Sequence, residues 1–236
     1  MLTAAQTIFL RKQLVGFLSN SYDFIYPFVF PCLMDSIIFV GPRGVGKSKA
    51  GETVAYRAGL PFVDADDVFV SRYGGISEFV RENGWPEFRR LEAQTLDEIC
   101  AAHSASRIVL ATGGGAVAHD QGDVYRQHNV DLLMAFGTVF YLLPYENLKM
   151  SARILVARIY GDASSASMRP ALTAESDPLT EMLTQLTKRD ELYRKAAHHV
   201  ILTGDKSPKG IADLVSARIR EESAPMPLQT QYLLAV

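Results

Sequence analysis

The 236-residue sequence predicts an α/β fold, a three-layer sandwich whose five-stranded parallel sheet lies between two sets of helices. Three observations lead there. Short apolar runs, the length of buried strands, alternate along the chain with longer segments of helical periodicity. The first of these runs feeds directly into the glycine-rich stretch "GPRGVGKS", Gly41 to Ser48. No internal repeat or low-complexity tract offers another architecture.

Taken in order, "SIIFV" is the first strand, and "KSKAGETVAYRAG" is a helix that stops at Gly59. "LPFVDAD" is a second buried strand ending in acids. "DDVFVSRYGG" and "ISEFVRENG" read as short helices broken at Gly74-Gly75 and at Gly84. "WPEFRRLEAQTLDEICAAH" is a long helix with Phe88, Leu91, Leu96 and Ile99 at a 3.6-residue period. "RIVLATGGG" is a third strand running into three glycines, and "GTVFYLL" a fourth, closed by Pro144. "YENLKMSARILVARI" is helical, "YGDASSASMRPALTAESDP" suits a mobile loop, and "PLTEMLTQLTKRDELYRKAA" returns to helix. "HHVILTG" is the fifth strand, covered by the helix "SPKGIADLVSARI". In such a sheet, ligands bind beyond the carboxyl ends of the strands.

Composition narrows the partners. With 24 basic and 26 acidic residues the net charge is −2, and no basic run offers a surface to nucleic acid. Cys32 and Cys100 make no C-x-x-C and no metal spacing, which points to a reducing, cytoplasmic compartment. His198 and His199 are neighbours on one strand and face opposite ways, so they make no metal site. Residues 1–33 are hydrophobic, but Asp23 and the prolines interrupt them, so a membrane span is rejected. They read as an extension ahead of a single domain at 34–222, with a tail at 223–236. Residues 1–22 hold no acid but only two basic residues, leaving organellar import as the lesser alternative.

The chemistry begins with G-x-x-x-x-G-K-[ST], matched at Gly41, Gly46, Lys47 and Ser48 between a strand and a helix. Backbone N–H groups from Gly44, Val45, Gly46, Lys47, Ser48 and Lys49 are placed to close around the phosphates of a nucleoside triphosphate, where the helix N-terminus adds positive potential. Lys47 is expected to reach the outer phosphates and Ser48 to hold Mg²⁺. Asp64 and Asp66, two apart at a strand end, are expected to point the same way, one to the metal and one to the phosphate acceptor. The competing reading is a polar strand end capping the next helix, with Asp67 available for that role. Two helices carry an arginine in an otherwise apolar stripe: Met182, Leu186, Arg189, Tyr193 and Trp85, Arg89, Glu92, Leu96. Either each arginine is held in an internal salt bridge, with Glu92 and Asp190 at hand, or both grip an anionic acceptor through the planar fork that fits a carboxylate.

Six ordered stretches, "GPRGVGKS", "FVDADDV", "PEFRRLEAQTL", "ATGGGAV", "MRPAL" and "KRDELYRKAAHHVI", resemble the motifs of the shikimate kinase family from about Met34 to Ile219. The resemblance implies a P-loop fold like that of the nucleoside monophosphate kinases, with a mobile lid. It implies transfer of the γ-phosphoryl group of ATP to shikimate, with Mg²⁺, on the way to chorismate and the aromatic amino acids, by a monomer. By the same resemblance, Asp66 serves as base on the acceptor hydroxyl, Asp64 helps position Mg²⁺ beside Ser48, and Arg89 with Arg189 grips the shikimate carboxylate. Gly113, Gly114 and Gly115 form the glycine turn against the substrate, and Arg169 is the lid arginine that joins Lys47 at the phosphates. Arg158 and Lys206 to Pro208 are placed at the adenine. Lys49 departs from the small or hydroxyl residue usual there and is expected to point away from the metal ligand beside it. His119 to Gly137 and the lid are longer than the family pattern. A kinase for gluconate or a nucleoside monophosphate, or a non-catalytic relative that only binds these ligands, are the competing readings.

Overall fold

The computed structural model describes residues 35–119, 123–161 and 177–223. Its strands are β1 (Ser36–Val40), β2 (Phe62–Asp64), β3 (Val109–Ala111), β4 (Gly137–Leu143) and β5 (His199–Leu202). The helices are α1 (Lys47–Ala58), α2 (Ala65–Tyr73), α3 (Ile76–Ala102), α4 (Asp123–Phe136), α5 (Leu148–Gly161), α6 (Pro178–Lys195) and α7 (Pro208–Ser223). The five strands form one sheet in the order β2-β3-β1-β4-β5, and every pairing is parallel.

That order fixes the layers. From β1 the chain moves two places one way to reach β2, and from β3 it moves two places the other way to reach β4. Since parallel crossovers are right-handed, α1 covers one face and α4 the other. The helix packing agrees, with α1 against α7 in one layer, and α3 against α4 and α5 against α6 in the opposite one. The reversal at β1 opens a crevice at its carboxyl end, where the glycine-rich loop lies.

Burial follows the apolar runs. β1 is buried along its whole length, as is Val139 to Leu143 of β4, because helices cover both faces of a central parallel strand. A second, smaller core lies beside this one: Phe69, Ile76, Val80, Phe88 and Leu91, with Tyr73, Phe79 and Trp85 packed on it. The Phe69 ring meets those of Tyr73, Phe79 and Phe88 at 4.9 to 5.3 Å between centroids. Among the described residues, no helix is long and apolar enough to cross a membrane.

Two local expectations change and a third holds. The second strand ends at Asp64 and Ala65 starts α2, so Asp66 lies in a first helical turn rather than on a strand. Gly84 (φ 81°, ψ 166°) leaves the helical region and divides α3 into two helical segments, as the sequence reading had it, with Pro86 in the first turn of the second, where its missing N–H costs nothing. Between His119 and Gly137 there is a helix, α4, that the sequence reading passed over. Its signal was present: Asn129, Leu132, Leu133 and Phe136 are buried at i, i+3, i+4 and i+7. The proposed extension 1–33, most of the lid with Arg169, and nearly all of the tail lie outside the described residues.

Candidate active site

The loop after β1 is shaped by its glycines. Gly41, Gly44 and Gly46 have φ of 140°, 80° and 96°, values that side-chain-bearing residues rarely adopt. Gly46 is the N-cap of α1 and has no side chain to offer the helix, and the first turn holds no acid. The first N–H groups of α1 therefore keep their positive potential for an anion. Lys47 is buried, and its Nζ donates to the carbonyls of Gly41 at 2.8 Å and Pro42 at 3.1 Å, folding the ammonium over the loop. Ser48 Oγ donates to Asp64 Oδ2 at 2.6 Å, while Asp64 Oδ1 accepts from Asp66 N at 2.9 Å. Asp64 thus caps α2, as the competing reading had it, and reaches Ser48 as well. Burial holds its carboxyl above the usual range, against the lowering effect of the Ser48 hydroxyl.

This loop lines a cavity. Gly44 to Lys49, Asp64 and Thr112 form one end of it; Arg158, Ile159, Lys206 and Pro208 form the other. Lys49, expected to point away, is exposed along this wall. Arg158 Nη2 donates to Gly204 O at 2.7 Å, which ties α5 to the turn after β5.

The second cavity lies between α3, α6 and the glycine turn after β3, and its wall includes Arg89, Glu92, Gly113 to Gly115, Gln185, Arg189 and Tyr193. Arg89 Nη1 donates to Glu92 Oε2 at 2.6 Å in an almost fully buried pair, and the guanidinium carbon lies 5.0 Å from the Phe88 ring centre and 5.2 Å from that of Trp85. Desolvation pushes the Glu92 carboxyl up and the nearby Arg89 and Arg189 pull it down, with a net rise. Asp190 does not serve Arg189: it accepts from Tyr141 Oη at 2.9 Å and from Arg194 Nε at 2.8 Å. Tyr193, whose hydroxyl donates to Gly114 O, is buried against Tyr141, and burial pushes its phenol up to about 12.

The glycine turn is required by the protein's own side chains. A Cβ on Gly113 would stand 2.6 Å from Glu92 Oε1 and 2.8 Å from Asp66 Oδ1. One on Gly115 would collide with the Arg89 guanidinium. Gly115→Ala should therefore displace Arg89 and cost about 1 to 3 kcal/mol of stability, as overpacking a buried site does. A urea midpoint equal to that of the parent protein would show that Arg89 has room to move.

Asp66 and Arg43 line both cavities, so the two meet at these residues. Apart from Ser207, every expected site residue within the described chain lines one of these two adjoining cavities. Asp67 is exposed and lines neither cavity. The sequence reading missed Arg43, which fills a variable position of the glycine-rich motif and carries no signal of its own. It treated Glu92 only as a partner for Arg89, and it passed over Gln185, although Gln185 stands four residues before Arg189 on the same helical face.

Comparison with known proteins agrees with this geometry. The shikimate kinase family model matches residues 43–220. A shikimate kinase of Oleidesulfovibrio alaskensis is 37% identical over 169 residues, 71% of this chain and 88% of its own length. Shikimate kinase 2 of Yersinia enterocolitica is 34% identical over 194 residues, 80% of this chain and 98% of its own length. Among solved structures, shikimate kinase from Acinetobacter baumannii in complex with shikimate matches with a TM-score of 0.69 at 27% identity, covering 82% of this chain and 97% of that one. Shikimate kinase from Aquifex aeolicus shares the fold, with a TM-score of 0.58 at 22% identity over 80% of this chain and 98% of that one. On the family match and on these relatives, the chain belongs to the shikimate kinase family.

Proposed function

We infer that this protein transfers the γ-phosphoryl group of ATP to shikimate, giving shikimate 3-phosphate and ADP in the synthesis of chorismate and the aromatic amino acids. The observation that carries the reading is the meeting of the two cavities at Asp66, with the phosphate-binding loop on one side and buried arginines on the other. ATP takes the cavity of the glycine-rich loop, with its phosphates against the N–H groups of Gly44 to Lys49. Arg158 and Lys206 lie at the far end, for the adenine. Shikimate takes the other cavity, its carboxylate toward Arg89 and Arg189 and its ring along Gly113 to Gly115.

In the transfer, the acceptor oxygen forms its bond to the γ-phosphorus as the bond to the leaving β-phosphate oxygen breaks. Asp66 takes the hydroxyl proton. Lys47 leaves the Gly41 and Pro42 carbonyls for the outer phosphates and spreads positive charge where negative charge develops. Arg169 enters this reading from its place ahead of Pro170 in the sequence, as a cation brought late by the lid.

The paired Ser48 hydroxyl and Asp64 carboxylate are oxygen donors of the kind that Mg²⁺ takes, and the raised affinity of Asp64 for a proton is one that a cation would relieve. Ser48 and Asp64 would hold it, and its charge would help neutralise the phosphate groups during transfer. Cys100, a buried free thiol, fits a cytoplasmic setting.

An ADP-release assay offering shikimate, gluconate, AMP and CMP in parallel tests the function. Shikimate should be phosphorylated and the other three left essentially untouched. Turnover of gluconate or a nucleotide at a comparable kcat/KM would overturn the assignment.

A further inference from the structure

We propose that Gln185 is a specificity-determining residue for the acceptor, its side-chain amide receiving a hydrogen bond from a hydroxyl of shikimate other than the one that is phosphorylated. The inference rests on reading the cavity between α3 and α6 as the shikimate site, and deepens it.

Gln185 lines that cavity on the same face of α6 as Met182, Leu186 and Arg189. It is 7% exposed, and its Oε1 is buried without a hydrogen-bond partner. A buried amide oxygen left unpaired costs the protein free energy, and the large majority of such atoms are satisfied. A leucine of nearly the same size would fill this position without that cost, beside Leu186 and Met182. The group that repays the cost is a hydrogen-bond donor arriving with the ligand. Two features of the cavity select a hydroxyl. The guanidinium groups of Arg89 and Arg189 share it, so an anionic end of the ligand has its partners without the amide. Asp66 is the acceptor group at the junction with the ATP cavity, so the reacting hydroxyl has its own partner there. An unreacting ring hydroxyl remains, and it needs an acceptor of the kind Oε1 provides.

The test is Gln185→Leu, assayed with shikimate, 4-deoxyshikimate, 5-deoxyshikimate and shikimate methyl ester, together with thermal unfolding of the unliganded protein. The expected result is a rise of about 5- to 150-fold in KM for shikimate, with KM for ATP unchanged. One of the two deoxy compounds should have the same KM with parent and variant, since it lacks the hydroxyl that the amide receives. The unfolding midpoint should hold or rise, because an unpaired buried amide has been removed. A purely structural role predicts the opposite: a lower midpoint and an equal loss for every compound, and that outcome overturns the proposal. So does an unchanged KM for shikimate in a variant whose parent turns shikimate over, which removes the amide contact and leaves the function standing. Discrimination lost only for the methyl ester would place the amide on the carboxylate and refute the hydroxyl contact. A parent protein inert toward shikimate would overturn the contact and the function together.

Discussion

Arg89→Ala should lose shikimate binding and native stability at once, by mechanisms that can be separated. The side chain is proposed to grip the acceptor carboxylate, and truncating one partner of a desolvated, hydrogen-bonded charge pair costs about 2 to 5 kcal/mol of binding. The same guanidinium holds Glu92 at 2.6 Å in a buried pair. Its removal leaves that carboxylate without its nearest countercharge, a defect worth about 3 to 5 kcal/mol. Part of this is recovered by protonation, to which burial already inclines Glu92. KM for shikimate should rise steeply while KM for ATP barely moves, and the urea midpoint should fall. The double variant Arg89→Ala, Glu92→Gln should regain much of the midpoint and none of the affinity. Recovery of both would mean that Arg89 serves the fold alone.

The second large effect is expected at the junction of the cavities. Asp66→Asn keeps the shape and still offers a hydrogen bond to a hydroxyl, but an amide does not take a proton at neutral pH. General-base catalysis is worth about 10² to 10⁴ in rate, and kcat should fall by a factor in that range. The loose transition state of phosphoryl transfer asks little of a base, which favours the lower end. ATP binding, followed by calorimetry, should stay within about threefold, under 1 kcal/mol. Asp64→Asn should differ, its activity partly restored by raised Mg²⁺, since Asp64 pairs with Ser48 rather than facing the acceptor cavity. Near-normal kcat for Asp66→Asn at saturating shikimate would remove Asp66 from the catalytic role, and Asp67, exposed on α2, would be a poor successor.

Where the sequence was legible, the physics was local. A run such as Ile37 to Val40 is too short and too apolar for anything but a buried strand, and the glycine-rich loop behind it carries its phosphate chemistry in a fixed spacing. The arginine stripes were legible because a guanidinium in an apolar face demands a partner. Which partner was not legible: Arg89 takes Glu92 one turn away, whereas Asp190 beside Arg189 turns instead to Tyr141 and Arg194. Adjacent residues on a helix point about 100° apart, so proximity in sequence misled. Asp64 and Asp66 were brought to the crevice as expected but through a helix cap rather than strand alternation, because a strand of three residues ended sooner than the pattern showed. Helix α4 went unread since its buried stripe begins on Asn129, which bonds Ala116 O at 2.8 Å, a contact between residues distant in sequence.

The second, smaller core has a consequence for how this protein adapts. Phe88 and Trp85 stand in that aromatic cluster and also form the wall against which Arg89 lies. The glycine-rich loop and β1, by contrast, belong to the main core. On the proposed assignment of the two cavities, the molecule is modular in its energetics: the nucleotide half is anchored in the sheet, and much of the acceptor half in a cluster that can be repacked by itself. Substitutions at Phe79, Val80 or Trp85 can retune which small molecule is accepted while the sheet keeps its cooperativity and the ATP chemistry its geometry. A change of acceptor is then a short evolutionary step, and a change of phosphate donor a long one.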